Sequence, residues 1–135
     1  MNRKFSKPTK ESESEEQQKL FQWASIAAKL LDLDGLELMF HVPNEGLRSL
    51  SMGRKMKAEG LKKGVADICL PVPRGQYHGL FFEMKAKDGK LTKEQIDFLK
   101  GVKKQGYATW VCYSAEEAIN LITKYYELPC TQPKE

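Results

Sequence analysis

Cysteine and histidine are scarce in this chain of 135 residues, with three of the first and two of the second. No two cysteines stand in C-x-x-C spacing and three make no even set, so neither a zinc ribbon nor a disulfide framework is available. Cys69 and Cys112 sit inside apolar, strand-like runs and Cys130 lies near the tail, which reads as buried thiols in a reducing compartment. His41 has no second metal-type residue at useful spacing and reads as a strand-end histidine making structural or backbone hydrogen bonds. Long apolar runs are missing too. No stretch of about 18 apolar residues occurs, and the opening MNRKFSKPTKESESEEQQ has no apolar centre of the kind a signal peptide needs. The expectation is a soluble, cytoplasmic protein with no membrane partner. There is no internal repeat.

What is present bounds the architecture. The length suits one domain with a single sizeable core, and 41% hydrophobic with 30% charged residues is ordinary for a globular protein. The expected layout is an arm over residues 1–11, one domain over 12–128 and a tail over 129–135. The net charge of +4 is unevenly spread: Arg48 to Lys104 holds 14 basic and 6 acidic residues, and the rest of the chain has an acidic excess. Within that basic middle lies KKGVADICLPVPRGQYHGLFFEMKAK, residues 62–87. Asp67 opens one apolar run and Glu83 and Lys85 close another, both reading as strands. Residues two apart on a strand share a face, so Glu83 and Lys85 project together while Met84 points away. Charge at the end of an apolar strand either reaches water in a cross-strand pair or belongs to a site, because burying it unpaired costs several kcal/mol. Two carboxylates from neighbouring strands beside a lysine make a hard oxygen site suited to Mg²⁺ or Mn²⁺. Such a cation lowers the pKa of a water it holds, and a lysine can steady the negative charge of the nucleophile or of a phosphate. The spacing D-x15-E-x-K resembles the signature of the PD-(D/E)xK nuclease superfamily. A basic surface around a carboxylate cluster is what a polyphosphate ligand requires, with a solvated mixed-charge surface as the plain alternative.

In chain order, periodicity predicts a helix over residues 12–31, with Leu20, Trp23, Ala24, Ala27, Leu30 and Leu31 on one face and Ser12 or Ser14 as its cap. Glu13 and Gln17 extend that face beyond its apolar part, so a carboxylate is aimed towards the sheet edge. A strand is expected over residues 36–42, then a basic, glycine-interrupted segment over 45–63 with some helix, able to lie along a phosphate backbone. The Asp67 and Glu83 runs form a hairpin-like pair around Pro71 and Pro73. Thr92 and Gln95 make a capping box with Leu91 and Ile96 as its staple, and Ile96, Leu99 and Val102 continue a buried stripe to Lys104, where Gly106 stops the helix. A strand over residues 107–113 and a helix capped by Ser114 complete an α/β fold with a central sheet flanked by helices.

Taken together, Ser12-Glu13-x-x-x-Gln17, Phe21-Gln22-Trp23-Ala24, His41-Val42-Pro43-Asn44-Glu45-Gly46, Gly64-Val65-Ala66-Asp67, Glu83-Met84-Lys85 and Gln95 resemble the virus-type replication-repair nuclease domain, VRR-NUC, of the stand-alone phage or bacterial type. The resemblance implies a restriction-endonuclease-like core with a central mixed sheet, acting as a Mg²⁺- or Mn²⁺-dependent endonuclease. It implies metal ligation by Asp67, Glu83 and the Met84 carbonyl, with Lys85 as the catalytic lysine and Gln95 as a helper. Glu13 is the helix carboxylate by motif, and Glu16 is the alternative in register. Phosphate contacts are expected from Asn44, Arg48, Arg54, Lys55, Lys62, Lys63 and Lys87. The resemblance further implies a homodimer acting on branched DNA, similar to Holliday-junction resolvases; the rival readings are a monomeric flap or nicking nuclease, a catalytically idle DNA-binding module, and a restriction-like enzyme, for which the chain has no evident recognition insertion. The apolar part of a dimer contact is expected from helices and from residues 45–63.

Overall fold

The structure, a computed structural model, describes residues 10–43 and 50–131. Helix α1 runs Lys10–Leu30, followed by a 3-10 turn at Leu36–Leu38 and the two-residue strand β1, Phe40–His41. Helix α2 (Leu50–Ala58), strands β2 (Ile68–Leu70) and β3 (Leu80–Met84), helix α3 (Lys93–Lys104), strand β4 (Ala108–Cys112) and helix α4 (Ala115–Glu127) complete the order. The strands lie in sequence across one sheet, β1-β2-β3-β4. The first two pairings are antiparallel, with His41 opposite Ile68 and Ile68 opposite Phe82, and β3 with β4 is parallel. A parallel pair needs a crossover, which α3 supplies. Among the described residues no helix is long and apolar enough to cross a membrane.

Alternation along β3 divides the molecule into layers. Leu80, Phe82 and Met84 join Ile68, Leu70 and Cys112 in a core closed by Leu20, Ala24 and Ala27 of α1 and by Ala118, Ile122 and Tyr125 of α4. On the opposite face Phe81 meets Phe98 of α3 edge-on at 5.4 Å and Tyr107 at 5.2 Å. A strand covered on both faces reads as a continuous apolar run, which is why FFEM carries only one acid. The Tyr125 hydroxyl donates to the Val72 carbonyl at 2.6 Å and ties α4 to the segment after β2.

Several expectations need correction. Among the described residues α1 begins at Lys10, so Ser12 and Ser14 lie within it and do not cap it; Ser14 accepts from Gln18 at 3.2 Å, and the lysine- and glutamate-rich start is itself good helix. Leu30 and Leu31 are exposed because the chain reverses at Asp32 (φ 53) and Leu33 and Leu36 take over the packing. Residues 36–38 do not form a strand: Gly35 (φ 86) starts a 3-10 turn that buries Leu36 and Met39, three apart, leaving only Phe40–His41 to pair. In α3 the Thr92–Gln95 capping box is present and Leu99 is buried as expected, but Ile96 is 37% exposed, and Phe98 meets the sheet in its place. Ser114 caps α4 by accepting from the Glu117 N–H, and Gly106 (φ 97) follows α3. Cys69 and Cys112 are buried, as expected, and Cys130 is exposed.

Candidate active site

The sheet brings two acids together where β2 begins and β3 ends. Asp67 immediately precedes β2, and its Oδ2 accepts from the Met84 N–H at 3.1 Å, reaching across to the last residue of β3. Its backbone is held from the other side. The Asp67 carbonyl accepts from the Val42 N–H at 2.7 Å and from His41 Nδ1 at 3.1 Å. A carbonyl can only accept, so His41 carries its proton on Nδ1, in the structural role expected of it. The N–H and C=O of one strand residue leave on the same side. The Met84 carbonyl therefore faces the side on which Asp67 receives the Met84 N–H.

Glu83 is fully buried, and neither carboxylate oxygen has a well-formed hydrogen bond; the groups nearest them are the Asp67 carboxylate and backbone. An ionised, unpaired acid there costs several kcal/mol, so a compensating charge or a proton is required. Burial, reinforced by the neighbouring Asp67 carboxylate and opposed by the Lys85 ammonium, pushes the Glu83 pKa up to about 9. Without a cation Glu83 thus holds a proton at neutral pH, and a divalent ion can take that proton's place. Among the described residues no three side chains of His, Cys, Asp or Glu form a metal cluster. The donor set that fits is two carboxylates and a backbone carbonyl with water in the remaining positions, a pattern suited to Mg²⁺ or Mn²⁺. Lys85 follows β3 half-buried, and its N–H donates to the Cys112 carbonyl at 2.8 Å, fastening the site to β4.

Helix α1 contributes Glu13, whose Oε1 accepts from the Ala86 N–H at 2.8 Å just beyond β3. Glu16, one turn later, is directed elsewhere: its Oε2 accepts from the Ala115 N–H at the start of α4 at 3.3 Å and lies 3.8 Å from Lys19 Nζ. Of the two, Glu13 is the one beside the acids' strand. Gln95 uses its side-chain oxygen on the Thr92 N–H at 2.9 Å, within the α3 cap. That cap is nonetheless drawn towards the site by Gly64, three residues before Asp67. With φ 89, Gly64 lies so close to α3 that an added Cβ would sit 2.5 Å from the Glu94 carbonyl. The need for glycine at this position went unread in the sequence, although a glycine that close to a candidate ligand was the available signal.

The basic residues are outward. Arg54, Lys55, Lys62, Lys63 and Lys87 are exposed; Lys55 pairs with Glu59 at 3.9 Å and Lys63 with Glu94 at 3.5 Å. Exposed pairs of this kind contribute little to stability and yield readily to a phosphate. Asn44 and Arg48 lie outside the described residues.

A mixed sheet flanked by helices, with an acid entering its second strand, a buried acid near the end of its third and a lysine two residues on, defines an α/β domain with a restriction-endonuclease-like core. The VRR-NUC domain model matches residues 7–116, and the chain belongs to that family, a family of nucleases acting on DNA. It is similar in fold to a solved structure, a VRR_NUC domain protein, with TM-score 0.71 and 24% identity over 87% of this chain and 90% of that one. Among curated proteins none matches the chain.

Proposed function

We propose that this protein is a Mg²⁺- or Mn²⁺-dependent endonuclease that hydrolyses DNA phosphodiester bonds in the cytoplasm, acting on branched DNA as a homodimer. The observation that carries the chemistry is Glu83, fully buried with two unpartnered oxygens, next to Asp67. Asp67, Glu83 and the Met84 carbonyl would hold the cation. When bound, the ion supplies Lewis acidity towards a phosphate oxygen and lowers the pKa of water. Asp67 reaches the site with its backbone fixed by Val42 and His41, so little ordering remains to be done on binding. Lys85 places an ammonium where negative charge grows as water oxygen bonds to phosphorus and the sugar oxygen leaves. Glu13 holds the strand end through Ala86, and the first turn of α3, docked on Gly64, closes the site from the other face. Arg54, Lys55, Lys62, Lys63 and Lys87 follow the phosphate backbone without reading bases, in keeping with selection by DNA shape.

The test is incubation of the purified protein with linear duplex, flap and four-way junction DNA in Mg²⁺, Mn²⁺ or EDTA. Cleavage with either ion, none in EDTA, and paired incisions in the junction are expected. Binding without cleavage under all conditions would make the protein an idle DNA-binding module, and single nicks by a monomer would make it a flap-type nuclease.

A further inference from the structure

Among the described residues strand β4 is the outer strand of the sheet, and at its centre Trp110 is 60% exposed. Backbone groups of a strand point alternately to its two neighbours. The Ala108 N–H donates to the Gly79 carbonyl and the Cys112 carbonyl accepts from the Lys85 N–H, so alternate residues, Ala108, Trp110 and Cys112, turn towards β3. Thr109 and Val111 therefore turn outward. The ends of this edge are closed from within the chain, because the Tyr107 N–H donates to the Val102 carbonyl at 3.1 Å and the Tyr113 N–H to Glu117 Oε2 at 2.6 Å. The open stretch is thus Thr109 to Val111, symmetric about Trp110.

Beside it runs a groove of about 800 Å³ lined by Trp110 and by Glu117, Asn120, Leu121 and Lys124 of α4. The four α4 residues fall at helical spacing on one face, with an acid at one end and a base at the other. We infer that a second copy of this chain docks here, β4 against β4 and antiparallel, about a two-fold axis passing through Trp110. Thr109 then exchanges both backbone hydrogen bonds with Val111 of the second copy, and the reciprocal pair does the same. The two tryptophans meet on the axis. The midpoint of Glu117 and Lys124 falls between Asn120 and Leu121, which line the same groove as Trp110, so this axis also sets Glu117 opposite Lys124 of the second copy, twice. One patch complementary to itself in backbone groups and in charge is what an isologous contact requires. A carboxylate in the groove disfavours nucleic acid as the occupant. The inference rests on the two-subunit part of the reading above and supplies its interface; it does not depend on the metal chemistry.

The test uses the full chain with Cys130→Ser, which removes the exposed native thiol, and adds Trp110→Cys. Directly opposed residues in a non-hydrogen-bonded antiparallel pair have Cα atoms about 4.5 Å apart, within the roughly 4.4–6.8 Å span of disulfides. Mild oxidation at micromolar concentration is expected to give a covalent dimer of twice 15.4 kDa on a non-reducing gel. Separately, Lys124→Glu, an exposed change that faces acid with acid, is expected to weaken dimerisation at least tenfold by sedimentation, while the far-UV circular dichroism of the monomer stays that of the folded wild type. If the protein is dimeric by light scattering yet Trp110→Cys does not cross-link and Lys124→Glu dimerises normally, the interface lies elsewhere, as at the exposed Leu50 and Met52 of α2, and this inference falls while the two-subunit reading stands. A monomer of 15.4 kDa at every concentration overturns both.

Discussion

Replacing Glu83 by glutamine separates the electrostatics of the site from its chemistry, because the substitution keeps shape and removes the ionisable group. In the metal-free protein the Glu83 pKa is raised from 4.5 to about 9, so over that interval the folded chain keeps a proton that the unfolded chain has released. Where the folded state binds more protons, raising the pH destabilises it. Each pH unit between those two values costs the wild type about 1.4 kcal/mol relative to Glu83→Gln. From pH 5 to pH 8 the relative loss is about 4 kcal/mol, on the order of 10 °C in thermal midpoint for a chain of this length. The assay is a set of melting curves in EDTA for both proteins across that range, with titrating groups remote from Glu83 cancelling in the difference and Asp67, its coupled neighbour, counted with it. Adding Mn²⁺ or Mg²⁺ at pH 8 should then raise the wild-type midpoint and leave Glu83→Gln nearly unmoved, since the cation takes over from the proton only where a carboxylate is available. Parallel pH curves for the two proteins would refute the idea that Glu83 is a buried, unpaired acid awaiting a cation.

Three further substitutions test the division of labour. Asp67→Asn should abolish cleavage while keeping the fold and much of the DNA affinity, because an amide oxygen can still accept from the Met84 N–H but carries no charge; cleavage near the wild-type rate would exclude the proposed metal site. Lys85→Ala should lower single-turnover cleavage by on the order of 10²-fold or more while metal binding persists by calorimetry, and loss of metal binding with chemistry retained would reverse the role. Replacing Arg54, Lys55, Lys62 and Lys63 together by alanine should weaken binding to all DNA sequences and reduce the slope of log K against log salt by about 0.9 per lost phosphate contact; an unchanged slope would put the DNA path elsewhere.

The parts of the architecture set by short-range rules were legible in the sequence. Short apolar runs in GLFFEMK and ADICLPV located the two strands, and Thr92 with Gln95, like Ser114, marked helix starts through local side-chain to backbone bonds. These depend on neighbours within four residues. What went astray depended on distant partners. Residues 36–42 look like a strand by composition, yet their shape is decided by where Leu36 and Met39 find the core, and a left-handed Gly35 commits them to a 3-10 turn. Likewise Leu30 and Leu31 continue the periodicity of α1 perfectly well, but the helix has by then run past the body it packs on.

The site shows the same division one level higher. Asp67, Glu83 and Lys85 could be picked out because charge in an apolar strand is costly, a matter of residue type and position alone. The choice between Glu13 and Glu16 could not be made that way, since one helical turn separates them and each has a good reason to be acidic near a helix start. The two are told apart in space by the ends of two other elements: the Ala86 N–H beyond β3 takes Glu13, and the Ala115 N–H at the head of α4 takes Glu16. Both carboxylates therefore satisfy orphan backbone donors, and Glu13 differs only in that its donor lies three residues beyond Glu83. Any influence of Glu13 on the reaction then runs through the position of the β3 end. Glu13→Gln, which can still accept from the Ala86 N–H, should for that reason cost far less activity than Glu13→Ala, whereas equal loss in single-turnover assays of the two variants would show that the charge itself reaches the cation or the phosphate.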